Sequence, residues 1–112
     1  MKPFRFAGIN AAVTGGGGGI GRALCKALAR EGVASVLSLD RDIAGARETV
    51  RQCREAWPLC QVTAAECDAS DGNALRAALR AAPPIDLFCA NAGNLIGGSC
   101  ESASGLRPES EL

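Results

Sequence analysis

Apolar and polar positions along the chain follow two periods, one typical of strands and one typical of helices. Four short apolar runs predict strands, at residues 9–14, 33–40, 61–68 and 85–90. Apolar side chains that recur every three or four residues predict three helices, at residues 20–30, 43–57 and 70–79. Strands that alternate with helices in this way indicate an α/β fold with a parallel sheet.

Connection rules predict the arrangement of these elements. Because crossovers between parallel strands are right-handed, the expected strand order is 3-2-1-4, with helices on both faces of a partial Rossmann-type sheet. Gly32 stands where a glycine ends a helix, Pro58 ends the second helix, and Ser70 and Asp71 are suited to begin the third. The third strand is the least apolar, so we expect it near a sheet edge.

The last part of the chain has a different composition. Residues 94–112 are rich in Gly, Ser and Glu and show no apolar period. We therefore predict a domain over residues 1–93, followed by an irregular or disordered tail over 94–112.

Five consecutive glycines, Gly15–Gly19, separate the first strand from the first helix. Such a run is also typical of a flexible linker, but here it joins strand to helix with no spare residues. Two spacings fit a dinucleotide fingerprint, Gly16-x-Gly18-x-x-Gly21 and Gly15-x-x-x-Gly19-x-Gly21. In this layout the helix N-terminus holds a pyrophosphate. A phosphate loop of the Gly-Lys-Ser/Thr type is excluded, because that sequence does not follow the run.

An acidic residue at the end of the second predicted strand indicates which dinucleotide the chain prefers. Asp40 follows Gly21 by 19 residues, close to the position of the acid that accepts from ribose hydroxyls. A carboxylate there repels a 2′-phosphate, whereas the neighbouring Arg41 could bind one. The sequence favours NAD, with NADP as the alternative. A plain turn acid at the strand end is the other interpretation of Asp40.

Three motifs lie at the ends of predicted strands, namely Thr14-Gly15-x-x-x-Gly19-Ile20-Gly21, Cys67–Asp71 and Asn91-Ala92-Gly93. With them the chain resembles the short-chain dehydrogenase/reductase family, in which the first is similar to the cofactor signature, the second to the adenine-contacting segment and the third to the second signature. The resemblance covers about residues 7–93. The predicted cofactor-binding residues are Thr14, Gly15, Gly17, Gly19, Ile20, Gly21, Asp40, Arg41, Asp68, Ala69, Asn91, Ala92 and Gly93.

The resemblance also implies individual roles. Asp68 is expected to bind the adenine amino group, and Asn91 to have a structural and ribose-side role. A strand-end turn acid and a plain loop asparagine are the alternatives for these two positions. Gly15 is expected to permit the tight turn, while Gly19 and Gly21 let the pyrophosphate and the sheet approach the backbone closely.

The family transfers hydride between nicotinamide and a carbonyl or alcohol, using a Tyr-x-x-x-Lys pair. This sequence contains no tyrosine, and its only lysines are Lys2 and Lys26, so no catalytic residue is assigned. We expect the cofactor-binding part of an oxidoreductase, as a fragment or a truncated chain. The alternatives are a non-catalytic nucleotide-binding module and a degenerate chain that associates with a full-length relative through the open edge of the fourth strand.

The composition of the chain narrows the partners, cellular locations and kinds of site that remain possible. The 12 basic and 12 acidic residues balance and form no basic patch, which disfavours nucleic acid as a partner. No apolar stretch is long enough for a membrane span, and residues 1–6 lack the apolar part of a signal peptide. Six cysteines within apolar patterns indicate reduced thiols in a cytoplasmic protein. Without histidine or a C-x-x-C pair, no metal site is expected.

Overall fold

The protein is described by a computed structural model over residues 6–91. Seven elements follow one another in the predicted alternation, namely β1 (Asn10–Thr14), α1 (Gly19–Arg30), β2 (Ser35–Asp40), α2 (Ile43–Ala56), β3 (Gln61–Glu66), α3 (Gly72–Arg80) and β4 (Leu87–Ala90). The predicted tail over 94–112 lies outside the described residues, and the domain limit at residue 93 stays a prediction. None of the three helices described is long and apolar enough to cross a membrane.

The four strands form one parallel sheet in the order β3-β2-β1-β4, which confirms the predicted order. β3 lies at one edge of this sheet, as its polar composition indicated. Thr14, the last residue of β1, is level with Leu39 of β2 and Ala90 of β4. The strands therefore end together, and the loops that follow them meet at one edge of the sheet.

Two apolar layers cover the two faces of the sheet. Because successive side chains of a strand point to opposite faces, Ala11 and Val13 pack on one face while Ala12 packs on the other. α1 and α2 bury Cys25, Leu28, Ala29 and Cys53 against the first face. α3 covers the second face more loosely, since none of its residues is fully buried.

The end of α1 explains why β2 begins later than the apolar pattern predicts. Gly32 has φ +93°, and its N–H donates to the Ala29 carbonyl at 3.2 Å, while the Val33 N–H donates to the Leu28 carbonyl at 3.4 Å. These two bonds form a Schellman motif, in which a glycine reverses the chain at the helix end. Val33 packs with Leu28 in the core and so belongs to this turn, and β2 starts only at Ser35.

Two of the three helices begin at an aspartate. Asp42 accepts from the Gly45 N–H at 3.1 Å and caps α2. Asp71 accepts from the Asn73 N–H at 3.0 Å and from the Ala74 N–H at 3.2 Å, which confirms the predicted start of α3. Each bond satisfies an N–H that has no partner inside its own helix.

The five described cysteines are free thiols. Four of them are buried (Cys25, Cys53, Cys60 and Cys67), and Cys89 is half-buried. Burial raises the pKa of the Cys25 thiol to about 12 and also raises that of Cys89. A thiol of raised pKa stays protonated, and Cys25 packs among the side chains of the core. That Cys89 is a core thiol rather than a reactive one stays a prediction. Cys100 lies outside the described residues.

Candidate functional site

The predicted site residues come together where the strands end. Thr14 ends β1, Asp40 ends β2, Asp68 follows β3 and Asn91 follows β4. The Asn91 N–H donates to the Thr14 hydroxyl at 2.9 Å, which joins the end of β4 to the end of β1. In open α/β sheets this edge is where ligands bind.

The glycine run forms a tight turn on the end of β2. Gly15 has φ +70°, a left-handed conformation that glycine adopts without strain. The N–H groups of Gly15 and Gly16 both donate to the Leu39 carbonyl, at 2.7 Å and 3.1 Å. The turn thus closes over β2 and leads directly into α1.

Two glycines, Gly16 in this turn and Gly21 in α1, are packed against the protein. A Cβ at Gly16 would overlap the Ser38 hydroxyl and lie 3.2 Å from the Cys25 sulfur. A Cβ at Gly21 would overlap the Gly15 carbonyl oxygen. A flexible linker has no such close packing, so the run is a packed turn. Gly21 therefore lets the Gly15 carbonyl approach α1 closely. The close approach of a pyrophosphate to Gly21 stays a prediction.

Two other glycines are open. Among the described residues, no atom lies within 4 Å of the place that a Cβ would take at Gly18 or Gly19. Gly19 has φ +52°, whereas Gly18 is extended with φ 177°. The packed glycines face the protein, and the open ones leave space at the start of α1.

The start of α1 has no side-chain cap among the described residues, in contrast to α2 and α3. Its first N–H groups have no partner inside the helix, and the helix dipole adds partial positive charge there. Its first turn carries no acidic residue. Ile20 lies in this turn with 72% of its surface exposed. The arrangement fits an anion that also carries apolar groups.

Asp40 is held against the glycine turn. Its Oδ2 accepts from the Gly17 N–H at 2.8 Å, and its Oδ1 accepts from the Asp42 N–H at 2.9 Å. A Cβ at Gly17 would lie 2.7 Å from the same Oδ2, so only glycine allows the carboxylate this close. The structure therefore brings Asp40 and Gly17 into direct contact.

Asp68 lies beyond β3 and faces Arg41. Its Oδ1 accepts from the Ser70 N–H at 2.9 Å and from the Ser70 hydroxyl at 2.7 Å, and the Arg41 Nη1 lies 3.8 Å from its Oδ2. Hydrogen bonds from Ser70, together with the charge of Arg41, lower the pKa of Asp68 below its usual value. The side chain is charged at neutral pH. Ala69 is half-buried beside it, whereas Ala92 and Gly93 lie outside the described residues.

Two residues that contact the turn, Arg22 and Thr49, were not predicted from the sequence. The Arg22 Nη2 donates to the Gly17 carbonyl at 2.8 Å, and the Thr49 hydroxyl donates to the Gly16 carbonyl at 2.6 Å. Thr49 comes from α2, 33 residues beyond its partner. The one available signal was Gly45, a glycine inside a helical pattern, which indicates a close approach of another segment.

The sheet order and the glycine turn define a Rossmann-type nucleotide-binding unit. A family model described as short chain dehydrogenase matches residues 10–107. The chain belongs to the short-chain dehydrogenase family, whose members are oxidoreductases that bind NAD or NADP.

Curated relatives match over nearly the same part of the chain. D-erythrulose reductase of Gallus gallus is 42% identical over 93 residues, which cover 82% of this chain and 35% of that protein. L-xylulose reductase of Bos taurus is 39% identical over 88 residues, which cover 79% of this chain and 33% of that protein. The chain spans about a third of the length of these relatives.

Solved structures share the fold. NAD+-bound xylitol dehydrogenase has a TM-score of 0.70 at 29% identity, over 80% of this chain and 35% of its own. A family member from Burkholderia phymatum in complex with NAD has a TM-score of 0.69 at 33% identity. The match covers 81% of this chain and 33% of that protein. L-sorbose reductase from Gluconobacter frateurii, complexed with NADPH, has a TM-score of 0.72 at 24% identity over 81% and 35%, and shows the fold alone.

Proposed function

We propose that the chain binds NAD at the edge where its strands end. In this proposal it is the cofactor-binding part of an oxidoreductase that transfers hydride between nicotinamide and a carbonyl or alcohol. The observation that carries the proposal is the start of α1, where an uncapped helix N-terminus lies behind two open glycines. A dinucleotide pyrophosphate is the anion that this arrangement suits.

The pyrophosphate is placed over Gly18 and Gly19. The first N–H groups of α1 bind its oxygens, and the helix dipole stabilises its negative charge. The exposed side chain of Ile20 gives the ligand an apolar surface beside its charged part. Thr14 and Gly15 stabilise the turn beneath the proposed pyrophosphate, since Thr14 bonds to Asn91 and Gly15 bonds to Leu39 at the end of β2.

The adenosine ribose is placed at Asp40. Each carboxylate oxygen accepts about two hydrogen bonds, so Asp40 binds ribose hydroxyls while it keeps the Gly17 N–H. Its charge repels the 2′-phosphate of NADP. The Arg41 guanidinium lies 3.8 Å from Asp68 rather than beside Asp40, which supports NAD as the preferred cofactor. NADP remains the alternative that the test below includes.

The adenine is placed next to Asp68 and Ala69. A charged carboxylate at this position accepts a hydrogen bond from the adenine amino group. Asn91 ties β4 to Thr14 through its main chain, which supports a structural role on the ribose side of the site. Ala92 and Gly93 complete the proposed set of cofactor contacts.

Proton transfer in this family uses a tyrosine, and these 112 residues contain none. Hydride transfer is therefore proposed for a longer protein of which this chain is the cofactor-binding fragment. The curated relatives named above are a D-erythrulose reductase and an L-xylulose reductase, but this chain covers only about a third of each, so only the reaction class is carried over. Buried free thiols support a cytoplasmic location for the chain.

The proposal is tested by calorimetric titration of the 112-residue chain with NAD and NADP. We expect NAD to bind at least about tenfold more tightly than NADP, because like charges placed side by side cost several kcal/mol and each 1.4 kcal/mol is about a factor of ten in affinity. Asp40→Asn should weaken NAD binding and reduce the difference between the two cofactors. Glu31→Gln, at the opposite end of α1, is the matched control and should bind as the wild type does. Absence of NAD binding by the folded wild-type chain would contradict the proposal.

The edge of β4 supports a second candidate, association with a second copy of this chain. Over residues 6–91, β4 pairs only with β1, and Phe88 on this strand is 40% exposed. An unpaired apolar edge accepts a strand from another chain. We propose self-association through this edge, which sedimentation analysis over a range of concentrations tests. Phe88→Lys should shift the chain toward the monomer, and a wild-type chain that is monomeric throughout contradicts this candidate.

A further inference from the structure

The glycine turn is held by side chains from three other parts of the chain. The Gly16 carbonyl accepts from the Thr49 hydroxyl at 2.6 Å, and the Gly17 carbonyl accepts from the Arg22 Nη2 at 2.8 Å. The Gly17 N–H donates to Asp40 Oδ2 at 2.8 Å. Glycine loses more backbone freedom on ordering than any other residue, so a run of glycines stays ordered only where such bonds hold it.

Arg22 and Thr49 also bind each other. The Arg22 Nε donates to the Thr49 hydroxyl at 2.9 Å, and the Arg22 Nη2 reaches the Gly45 carbonyl at 3.2 Å. Thr49 is fully buried, and its hydroxyl accepts from Arg22 while it donates to Gly16. The two side chains thus form a mutually satisfied network between α1, α2 and the turn, which is fully buried at Thr49 and half-buried at Arg22. Such a network is costly to break, because a removed partner leaves a buried group unpaired.

The close approach of α2 makes this network possible. A Cβ at Gly45 would lie 2.5 Å from the Gly17 carbonyl oxygen, so α2 packs directly on the turn only because residue 45 has no side chain. The Arg22 guanidinium can then reach the carbonyls of Gly17 and Gly45 together, as its planar fork allows. The turn cannot shift without breaking bonds to both helices.

We infer that Arg22 and Thr49 are positioning residues for the dinucleotide. They fix the two peptide units of Gly16–Gly17 before a ligand arrives, so that the open glycines Gly18–Gly19 and the start of α1 are already in the binding geometry. Neither residue touches the ligand in this account. The inference rests on the proposed function, and it predicts that loss of the network weakens binding by making the ligand order the turn.

The test compares Thr49→Val, which keeps the shape and removes the hydroxyl, with Thr49→Ser, which keeps the hydroxyl. We expect Thr49→Val to weaken NAD binding about tenfold, as loss of one ordering hydrogen bond predicts, and Thr49→Ser to restore most of it. The 112-residue chain is titrated with NAD in a calorimeter, and cooperative thermal unfolding shows that each variant is folded. A merely structural role would lower stability without this recovery of affinity. Equal affinities for Thr49→Val and the wild type would overturn the inference.

A second measurement separates this inference from the proposed function. Backbone 15N relaxation without ligand should give rigid amides at Gly16–Gly17 in the wild type, with order parameters near 0.85, and mobile ones below about 0.6 in Thr49→Val. If the wild type binds no NAD, the proposed function is wrong, but this comparison still decides whether Thr49 holds the turn. Rigid glycine amides in both proteins would overturn the positioning role. Arg22→Lys, which loses the planar fork, replaces Thr49→Val if that variant does not fold.

Discussion

Gly21→Ala is expected to be strongly destabilising, although alanine normally favours a helix. The new Cβ would overlap the Gly15 carbonyl oxygen and would lie 2.6 Å from its carbon and 2.9 Å from the Asn91 Nδ2. The first two of these atoms belong to the backbone of the turn, so rotation of a side chain cannot relieve the overlap. The turn has to move away from α1.

The magnitude follows from the bonds that this movement breaks. The N–H groups of Gly15 and Gly16 both donate to the Leu39 carbonyl, at 2.7 Å and 3.1 Å. Leaving a buried N–H unpaired costs about 1–3 kcal/mol, so loss of both bonds costs about 2–6 kcal/mol. Replacing a helical glycine with alanine stabilises the helix by about 1 kcal/mol, which offsets part of this loss. The expected net loss is about 1–5 kcal/mol, a large part of the stability of a small domain.

Gly18→Ala is the matched control within the same turn. Gly18 is extended, with φ and ψ both 177°, a conformation open to any residue. No described atom lies within 4 Å of its Cβ position. Alanine there restricts the unfolded chain and should raise the free energy of unfolding by about 0.4–1 kcal/mol.

Urea unfolding of both variants measures these free energies. Trp57, the single tryptophan, packs against the core and reports unfolding by its fluorescence, while circular dichroism follows the helices. We expect a much lower midpoint for Gly21→Ala and a slightly higher one for Gly18→Ala. If Gly21→Ala unfolds at the same urea concentration as the wild type, the reasoning is refuted, since the glycines then act as a loose linker.

Three further predictions concern single side chains. Ser38→Ala should raise the free energy of unfolding by about 1 kcal/mol in urea denaturation, because it removes a buried hydroxyl that faces the Cys25 thiol but makes no hydrogen bond of ordinary geometry among the described residues. Asp71→Ala should lower it by about 1 kcal/mol in the same assay by uncapping α3, and no change would contradict the capping role. NMR titration should place the pKa of Asp68 below its usual value, so that its stabilising bonds are present at neutral pH and are lost as the pH falls through that pKa. Ser70→Ala should raise this pKa toward its usual value, and an unchanged pKa would show that Ser70 is not the cause.

Periodicity and connection rules were sufficient for the overall plan of the molecule. Residues 11–13 of β1 are apolar without interruption because both faces of this central strand are buried, and such a run is visible in the sequence alone. Right-handed crossovers then leave one reasonable order, which the structure confirms. Local chemistry also placed Gly32 at the end of α1 and Asp71 at the start of α3. The element ends were less predictable, because Val33 is apolar in the turn just as it would be in a strand.

Glycine spacing located the turn but could not say what each glycine does. Five identical residues fit several registers, and only their neighbours in space distinguish Gly16, packed on Ser38, from Gly18, which faces open space. Those neighbours come from parts of the chain distant in sequence, so no local pattern marks them.

The composition of the chain and its short-range patterns thus determine a parallel sheet with a glycine turn at the end of β1, since periodicity, caps and crossover handedness act within or between adjacent elements. The contacts that hold the turn depend on folding. Thr49 reaches Gly16 across 33 residues, and the Arg22 guanidinium joins two helices only because Gly45 lets α2 approach. A hydrogen bond between distant residues depends on where the backbone brings their atoms, and tertiary packing alone decides that position.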